Sequence, residues 1–337
     1  MKEFIPRVVL VQKAALQYPL GNKLMEDFKV RGVDVSLYEK RVPAAPGKTF
    51  RDRFLRSKRT MVVQVWPRRE FQTCKPSAHY QLPLVSGCPG QCEYCYLNTN
   101  LGKNPFIKVY VNVSEILERA KEYVDQRKPE VTVFEGSATS DPVAVEPWTG
   151  SLEQTIRFVS TLDYARFRFA TKYGDVDSLL KIKHNNKTEV RFSINSEYVV
   201  GKFEAGTPPL ESRLRAAKQI SEAGYPLGFL IGPIIEFPGW HEEYTNLLNL
   251  ARAHVKENEP VFFELITHRF TSRAKNIIRQ VYPDTEVPLD EEGRRFKYGQ
   301  FGYGKYIYRK ELMEHMEEFF RTTIETLFPE GKILYFV

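Results

Sequence analysis

Three of the four cysteines stand within eight residues of one another, in Ser86-Gly-Cys88-Pro-Gly-Gln-Cys92-Glu-Tyr-Cys95-Tyr96. Thiolates separated by three and then two residues can converge from one curved loop onto an iron–sulfur cube, and Gly87 and Gly90 permit the tight backbone that wraps it. Three protein ligands leave one iron open to a small chelating molecule. The alternative is a zinc site with Cys74 as fourth ligand, because structural zinc takes four protein ligands. Zinc frameworks pair their cysteines in two separated knuckles, which a lone upstream cysteine fits poorly; Cys74 reads as a buried or bystander thiol. Four cysteines in 337 residues cannot form a disulfide framework, and their clustering points to a reducing compartment and a metal site.

Such a loop needs a rigid frame. From about residue 80, short apolar β-rich runs alternate with segments of helical period. Strands are expected at Tyr80–Val85, Val131–Glu135, Phe167–Thr171, Val190–Ile194, Leu227–Ile231 and Val261–Ile266. Ile116, Leu117, Ala120, Tyr123 and Val124 mark one intervening amphipathic helix, and Leu152, Ile156, Val159 and Leu162 mark the next. This is the pattern of an α/β protein with six βα units, a partial (β/α)6 barrel whose chemistry collects where the strands end. Before it lie a strand at Arg7–Gln12, a helix near Leu20–Val30, and strands at Val33–Tyr38 and Thr60–Trp66, with a turn-rich linker at Val42–Lys48. The expected division is a small N-terminal α/β region with a basic segment (1–75), the barrel (76–270), and a C-terminal β-hairpin and helical cap (271–337).

Hydrophobic residues make up 42% of the chain and charged residues 27%, which excludes a disordered chain. The apolar run Val8–Val11 is too short for a signal peptide, and nothing approaches the ~18 apolar residues of a membrane span. The expected location is the cytoplasm, with no membrane partner. A net charge of +7 suggests an anionic partner. From Lys40 to Arg69 there are ten Lys/Arg against one acid, Asp52. That strip reads either as a solvated surface segment or as a phosphate-contacting one.

The Cys-x3-Cys-x2-Cys motif, with Tyr94 before the last cysteine, is that of the radical S-adenosylmethionine (SAM) superfamily. The wider chain resembles the spore photoproduct lyases in Phe134-Glu-Gly-Ser-Ala-Thr-Ser-Asp141, Ala170-Thr-Lys-Tyr173, Arg191-Phe-Ser-Ile-Asn-Ser196, His268-Arg-Phe270 and Gly304-Lys-Tyr-Ile-Tyr308. The resemblance implies a [4Fe–4S] cluster on Cys88, Cys92 and Cys95, with SAM chelating the fourth iron. It implies Tyr94 backbone groups at the adenine, Ser140 and Lys172 near the methionine moiety, Ser193 and Asn195 at the ribose or carboxylate, and close backbone approach to the adenine at Gly232. Without it, Lys172 would read as a solvated loop lysine and Ser193 and Asn195 as strand-end polarity. The implied activity is repair of 5-thyminyl-5,6-dihydrothymine in ultraviolet-damaged double-stranded DNA of the spore core or germinating cell. A 5′-deoxyadenosyl radical would do the work, fed by a reductant such as flavodoxin or ferredoxin. Two other readings stay open: a radical SAM enzyme acting on RNA or a small molecule, and a non-enzymatic, metal-stabilised nucleic-acid binder.

One position departs from the family pattern. Where the family carries a hydrogen-donating cysteine before Thr-Ser-Asp, this chain has Ala138, which has only strong C–H bonds. Either the substitution is engineered or another donor operates. The expectation is an engineered change that leaves cleavage intact and makes quenching slow or misdirected. Tyr96 is expected either to relay a hydrogen atom toward deoxyadenosine or simply to pack over the cluster loop. Between His268 and Lys310, ten Lys/Arg are interleaved with aromatics, and five acids temper the charge. Arg294 to Phe301 is expected to form one arm of a hairpin. Arg269, Arg273, Tyr303, Lys305 and Tyr306 are the candidate DNA contacts, the alternative being a β-rich cap with a charged exterior.

Overall fold

The computed structural model describes residues 4–67, 69–75, 77–298 and 304–337. The chain enters along β1 (Val8–Gln12), turns through α1 (Pro19–Val30) and returns as β2 (Asp34–Tyr38). A capping box opens α2 (Phe50–Ser57): the Thr49 hydroxyl accepts from the Asp52 amide at 3.1 Å, and Asp52 accepts from the Thr49 amide at 3.2 Å. There follow β3 (Thr60–Gln64), the two-residue β4 (Thr73–Cys74), β5 (Ala78–Gln81), β6 (Val85–Ser86), α3 (Leu97–Asn100), β7 (Ile107–Tyr110) and α4 (Val113–Arg127). Five of these strands form a sheet in the order β2-β1-β3-β7-β6. The run Tyr80–Val85 therefore does not form one strand. Pro83 carries no ladder N–H, and the chain changes sheets around it: β5 pairs with the barrel, whereas β6 runs antiparallel to β7.

The second sheet is a curled half-barrel. It takes β8 (Thr132–Glu135), then, after α5 (Glu146–Thr149) and α6 (Ser151–Ser160), β9 (Ala165–Thr171) and β10 (Thr188–Ile194). Helices α7 (Glu197–Phe203) and α8 (Leu210–Glu222) lead to β11 (Leu227–Ile234), and α9 (Trp240–Ala253) to β12 (Val261–Thr267). The chain closes with α10 (Ser272–Val281), a hairpin of β13 (Arg294–Tyr298) and β14 (Gly304–Tyr308), α11 (Lys310–Leu327) and β15 (Lys332–Phe336). The order is β15-β12-β11-β10-β9-β8-β5-β4, parallel from β5 to β15, with β4 antiparallel at the edge. The other five expected barrel strands are present, each within a few residues of its expected limits, and the first is reduced to β5. No helix among the described residues is long and apolar enough to cross a membrane.

Successive strand residues point to opposite faces. Phe167, Phe169, Val190, Phe192, Phe229 and Phe263 pack in one core with helix residues such as Leu152, Ile156, Leu214 and Leu248. The opposite face carries buried charge. Arg191 on β10 reaches Glu135 on β8 and Glu264 on β12, the latter at 2.9 Å, while Arg168 on β9 meets Glu264 and Glu189, the latter at 3.0 Å. Gly228 on β11 makes the crossing possible, because a Cβ there would stand 2.8 Å from Arg191 Cγ.

The hairpin is fastened at the end of β12. Phe270 and Tyr306 exchange backbone hydrogen bonds at 3.2 and 2.8 Å, and their rings stack at 5.3 Å. Arg294, at the start of β13, donates to the His268 carbonyl at 2.6 Å and to its Nδ1 at 3.1 Å. Burial, reinforced by the Arg294 charge, pushes the His268 imidazole down to about 3. Between the ordinary histidine value of ~6.5 and that value, the unfolded chain binds a proton that the folded chain does not, so stability falls with falling pH by ~1.4 kcal/mol per unit. Urea unfolding of the parent between pH 6.5 and 4.5 should accordingly lose ~2–3 kcal/mol more than unfolding of His268→Gln; equal losses would contradict a neutral buried His268.

Candidate active site

The cluster loop follows β6 and is pinned from several sides. Gly87 adopts φ +88°, where a Cβ would stand 2.2 Å from the Phe106 carbonyl oxygen. Its amide donates to the Thr139 carbonyl at 2.8 Å, which joins the loop to the segment after β8. The amides of Gln91 and Glu93 donate to the carbonyls of Ala205 and Phe203 at 2.7 and 2.9 Å, and Asn98 Nδ2 donates to the Cys92 carbonyl at 3.0 Å. Cys92 is buried, and Cys88 and Cys95 are half-buried. The residues fit an iron–sulfur core. The three thiols are mutual electrostatic neighbours, and Gly90 lets the loop backbone pass close to them, because a Cβ there would stand 2.9 Å from the Thr207 methyl and 3.4 Å from Cys88 Sγ. Burial, with Asp141 next in weight, pushes the Cys88 thiol up to about 12, and burial raises Cys92 as well. Loading a metal core onto these thiols must therefore release protons. Cys74 stands apart on β4, with Glu135, Arg191 and Arg168 as its charged neighbours.

The remaining expected residues gather where the barrel strands end, as the alternation of strand and helix requires. Ser140 is buried, and its hydroxyl donates to the Gly136 carbonyl at 3.3 Å. The Lys172 amide donates to Asp141 at 2.8 Å, and its Nζ donates to Glu204 at 2.7 Å and to the Tyr94 hydroxyl at 3.2 Å. The Tyr94 hydroxyl donates to Glu204 in turn. The Ser193 carbonyl accepts from Arg213 at 3.1 Å. Asn195 is committed internally: its Nδ2 donates to the Pro233 carbonyl at 2.8 Å, and its Oδ1 accepts from the Ser196 amide at 2.9 Å and the Tyr244 hydroxyl at 3.0 Å. At Gly232 a side chain would press on Ile266 and Leu230 at 3.1 and 3.2 Å. Tyr96 donates its hydroxyl to the Ala138 carbonyl, linking the cluster loop to the segment after β8. Ser137 fixes Ala138 from the other side, donating to Glu135 at 2.6 Å and accepting from the Ala170 amide at 2.7 Å.

Sequence reasoning missed Glu204 and Arg213. Both are buried, and they pair at 2.6 Å. Glu204 thus joins two cofactor-site candidates, Tyr94 and Lys172, to helix α8. Burial alone would raise its carboxyl, but the Lys172 and Arg213 charges outweigh that and hold it at about 2. In the sequence it is one acid between Phe203 and a Gly/Pro-rich turn, with no spacing signal. Toward the hairpin, Arg269 and Arg273 are exposed, Lys305 is half-buried opposite Lys297, and Tyr306 is occupied against Phe270. Tyr303 lies outside the described residues.

A three-cysteine loop at the mouth of a parallel half-barrel defines the radical SAM enzymes, whose cofactors are a [4Fe–4S] cluster and SAM. Within that class the chain belongs to the spore photoproduct lyase family, whose description, "Spore photoproduct lyase", matches over residues 4–337. It is 46% identical over 332 residues to the spore photoproduct lyase of Clostridium acetobutylicum, covering 98% of each chain. It is 43% identical over 337 residues to that of Bacillus subtilis, covering 99% of this chain and 98% of the other. Among solved structures, it matches a spore photoproduct lyase double mutant with bound AdoMet and dinucleoside spore photoproduct, at a TM-score of 0.96 and 44% identity over 100% of both chains. In that mutant one cysteine is replaced by alanine and one serine by cysteine. A further spore photoproduct lyase, complexed with dinucleoside spore photoproduct, matches at a TM-score of 0.96 and 43% identity over 100% of both chains.

Removing the carboxylate at the centre of this site should expose its structural share. Glu204→Gln leaves the buried Arg213 without a counter-charge and should cost ~3–5 kcal/mol in urea unfolding at pH 7. The parent's ion pair contributes fully above the ordinary carboxyl value of ~4.3 and fades only as the pH falls toward 2, so the gap between the two proteins should persist down to pH 4.5. A variant as stable as the parent would contradict this pairing.

Proposed function

We propose that this chain is a DNA repair lyase that converts 5-thyminyl-5,6-dihydrothymine into two thymines. The observation that carries the reading is full-length similarity to a lyase solved with both AdoMet and the dinucleoside lesion bound. Cys88, Cys92 and Cys95 would hold the cluster, and Lys172, Ser140, Ser193 and Tyr94 would line the place where SAM completes it. Bound there, the cofactors supply a 5′-deoxyadenosyl radical able to take hydrogen from C6 of the dihydrothymine ring. The protein's own task comes after the methylene bridge breaks: it must give one hydrogen atom to the product thymine radical.

Ala138 cannot give that hydrogen, and Cys74 is suited to it. Cys74 is half-buried beside Glu135, which also accepts from Ser137, the neighbour of Ala138. Tyr96, bonded to the Ala138 carbonyl, has both Cys95 and Cys74 among its electrostatic neighbours. Burial pushes the Cys74 thiol up to about 11, with Glu135 adding to it, so at neutral pH the group is an S–H and not a thiolate. In this reading the product radical takes the S–H hydrogen, leaving a thiyl radical; Tyr96 gives its phenolic hydrogen to that thiyl, and the Tyr96 phenoxyl would take a hydrogen atom back from the 5′-deoxyadenosine formed in the first step. Alanine and cysteine here are the same residue types that the solved double mutant, which holds AdoMet and the dinucleoside lesion, carries by substitution.

The surface beside the hairpin supports a nucleic-acid partner. Lys297 and Lys305 face each other across the hairpin, and Arg269 adds to the charge around Lys305. Like charges held opposite destabilise a bare sheet, an arrangement that a phosphate would relieve. Phe296 and Tyr298 are exposed, the latter by 79%, and present flat apolar faces on the side of the hairpin opposite Lys297. A damaged base pair costs less to extrude than an intact one, which favours a lesion at such a surface.

Anaerobic incubation with dithionite, SAM and the dinucleoside lesion should yield thymine. Cys74→Ala should lower the ratio of thymine to side products severalfold, and adding Ala138→Cys to that variant should restore it. No thymine from the parent would sink the lyase reading, and an unchanged ratio in Cys74→Ala would sink the donor assignment alone. Three phosphate contacts give a salt slope of about −2.7, so affinity for damaged duplex should fall ~40-fold between 50 and 200 mM salt; a flat response would remove the case for this surface.

A further inference from the structure

Lys58 belongs to the basic strip of residues 40–69, yet it behaves unlike its neighbours. Arg51, Arg56 and Arg59 are exposed, whereas Lys58 is 1% exposed. It sits at the C-cap of α2, and its Nζ donates to the carbonyls of Cys88 at 3.2 Å and Gly90 at 2.7 Å, both in the cluster loop. The Phe54 ring lies 5.9 Å away, and no carboxylate among the described residues pairs with the ammonium. A buried cation without a counter-charge is costly. Carbonyl dipoles and the C-terminal end of α2 offset part of that cost, but neither supplies a full negative charge.

The missing charge is the cofactor's. Three thiolates around a [4Fe–4S] core carry net negative charge, and reduction adds one electron to it. We propose that Lys58 is the built-in counter-cation of the cluster, raising its reduction potential while tying the first, five-stranded sheet to the cofactor loop. This rests on Cys88, Cys92 and Cys95 holding that cluster. A fixed positive charge beside a cluster favours the form with the extra electron. Both effects come from one side chain, because the Nζ that presents the charge also joins two carbonyls of the loop that wraps the metal.

The test is a redox titration of the anaerobically reconstituted full chain, followed by electron paramagnetic resonance of the reduced cluster. At the potential where the parent is half reduced, Lys58→Met should show a reduced-to-oxidised ratio at least tenfold lower, ~59 mV for a one-electron couple. Lys58→Arg, which keeps the charge, should stay near the parent, and so should Arg59→Met, which removes an exposed charge one residue away. An unchanged potential in Lys58→Met would overturn the proposal, as would an equal shift in Arg59→Met. Should Lys58→Met fail to retain a cluster, iron and sulfide content decides: retention by Lys58→Arg alone, with the circular dichroism of both apoproteins unchanged, supports the charge requirement, and equal loss in both overturns it. A parent that binds no iron or sulfide would instead defeat the underlying cluster assignment, so the two failures are distinguishable.

Discussion

Two arginines threaded through the inside of the half-barrel hold this molecule in register. Arg191 and Arg168 are nearly devoid of solvent, as are Glu135 and Glu264, and each charge is matched only because β8, β9, β10 and β12 stand at fixed offsets. Exchanging such an ion lattice for apolar side chains can leave a fold equally stable, whereas removing one member leaves a stranded charge. Geometry is what the lattice supplies. A strand slip of one residue would turn its charges into the helix-facing core, so the ends of the strands, where Ser140, Lys172 and Ser193 sit, are held at fixed heights.

Above the lattice, the functional loops are tied to each other more than to solvent. The cluster loop shares backbone hydrogen bonds with the segment after β8 and with the end of α7. Glu204 at that helix end gathers Tyr94, Lys172 and Arg213. Donors and acceptors of the site are thus largely paired before any cofactor arrives, which limits the reorganisation that binding must drive. Lys172 illustrates the point. Its ammonium is already oriented by Glu204 and Tyr94.

Much of this was legible in the sequence, for identifiable reasons. The barrel strands were readable because strands buried on both faces show as β-rich apolar runs separated by amphipathic helices. The cysteine motif was readable because one loop supplies all three thiols. Pro83 was the available signal that Tyr80–Val85 is not a single strand. Glu204, Arg213 and Lys58 were not readable, because each acts through a partner distant in sequence and none sits in a spaced pattern. Lys58 in particular was hidden by its exposed basic neighbours, since composition counts charges without knowing which of them point inward. Cys74 was discounted as a ligand on sound grounds, and spacing alone could not reveal that a two-residue edge strand brings it beside Glu135.

The hairpin has no flexible tether. It is clamped by paired amides and a stacked ring pair to residues that continue directly from β12, and the His268 amide is itself bonded to Ile234 at 2.9 Å. Whatever pulls on β13 or β14 therefore pulls on the strand that bears Glu264. A load applied to these strands would reach the interior with little slack, so the stiffness of the inner framework sets how still the hairpin is held.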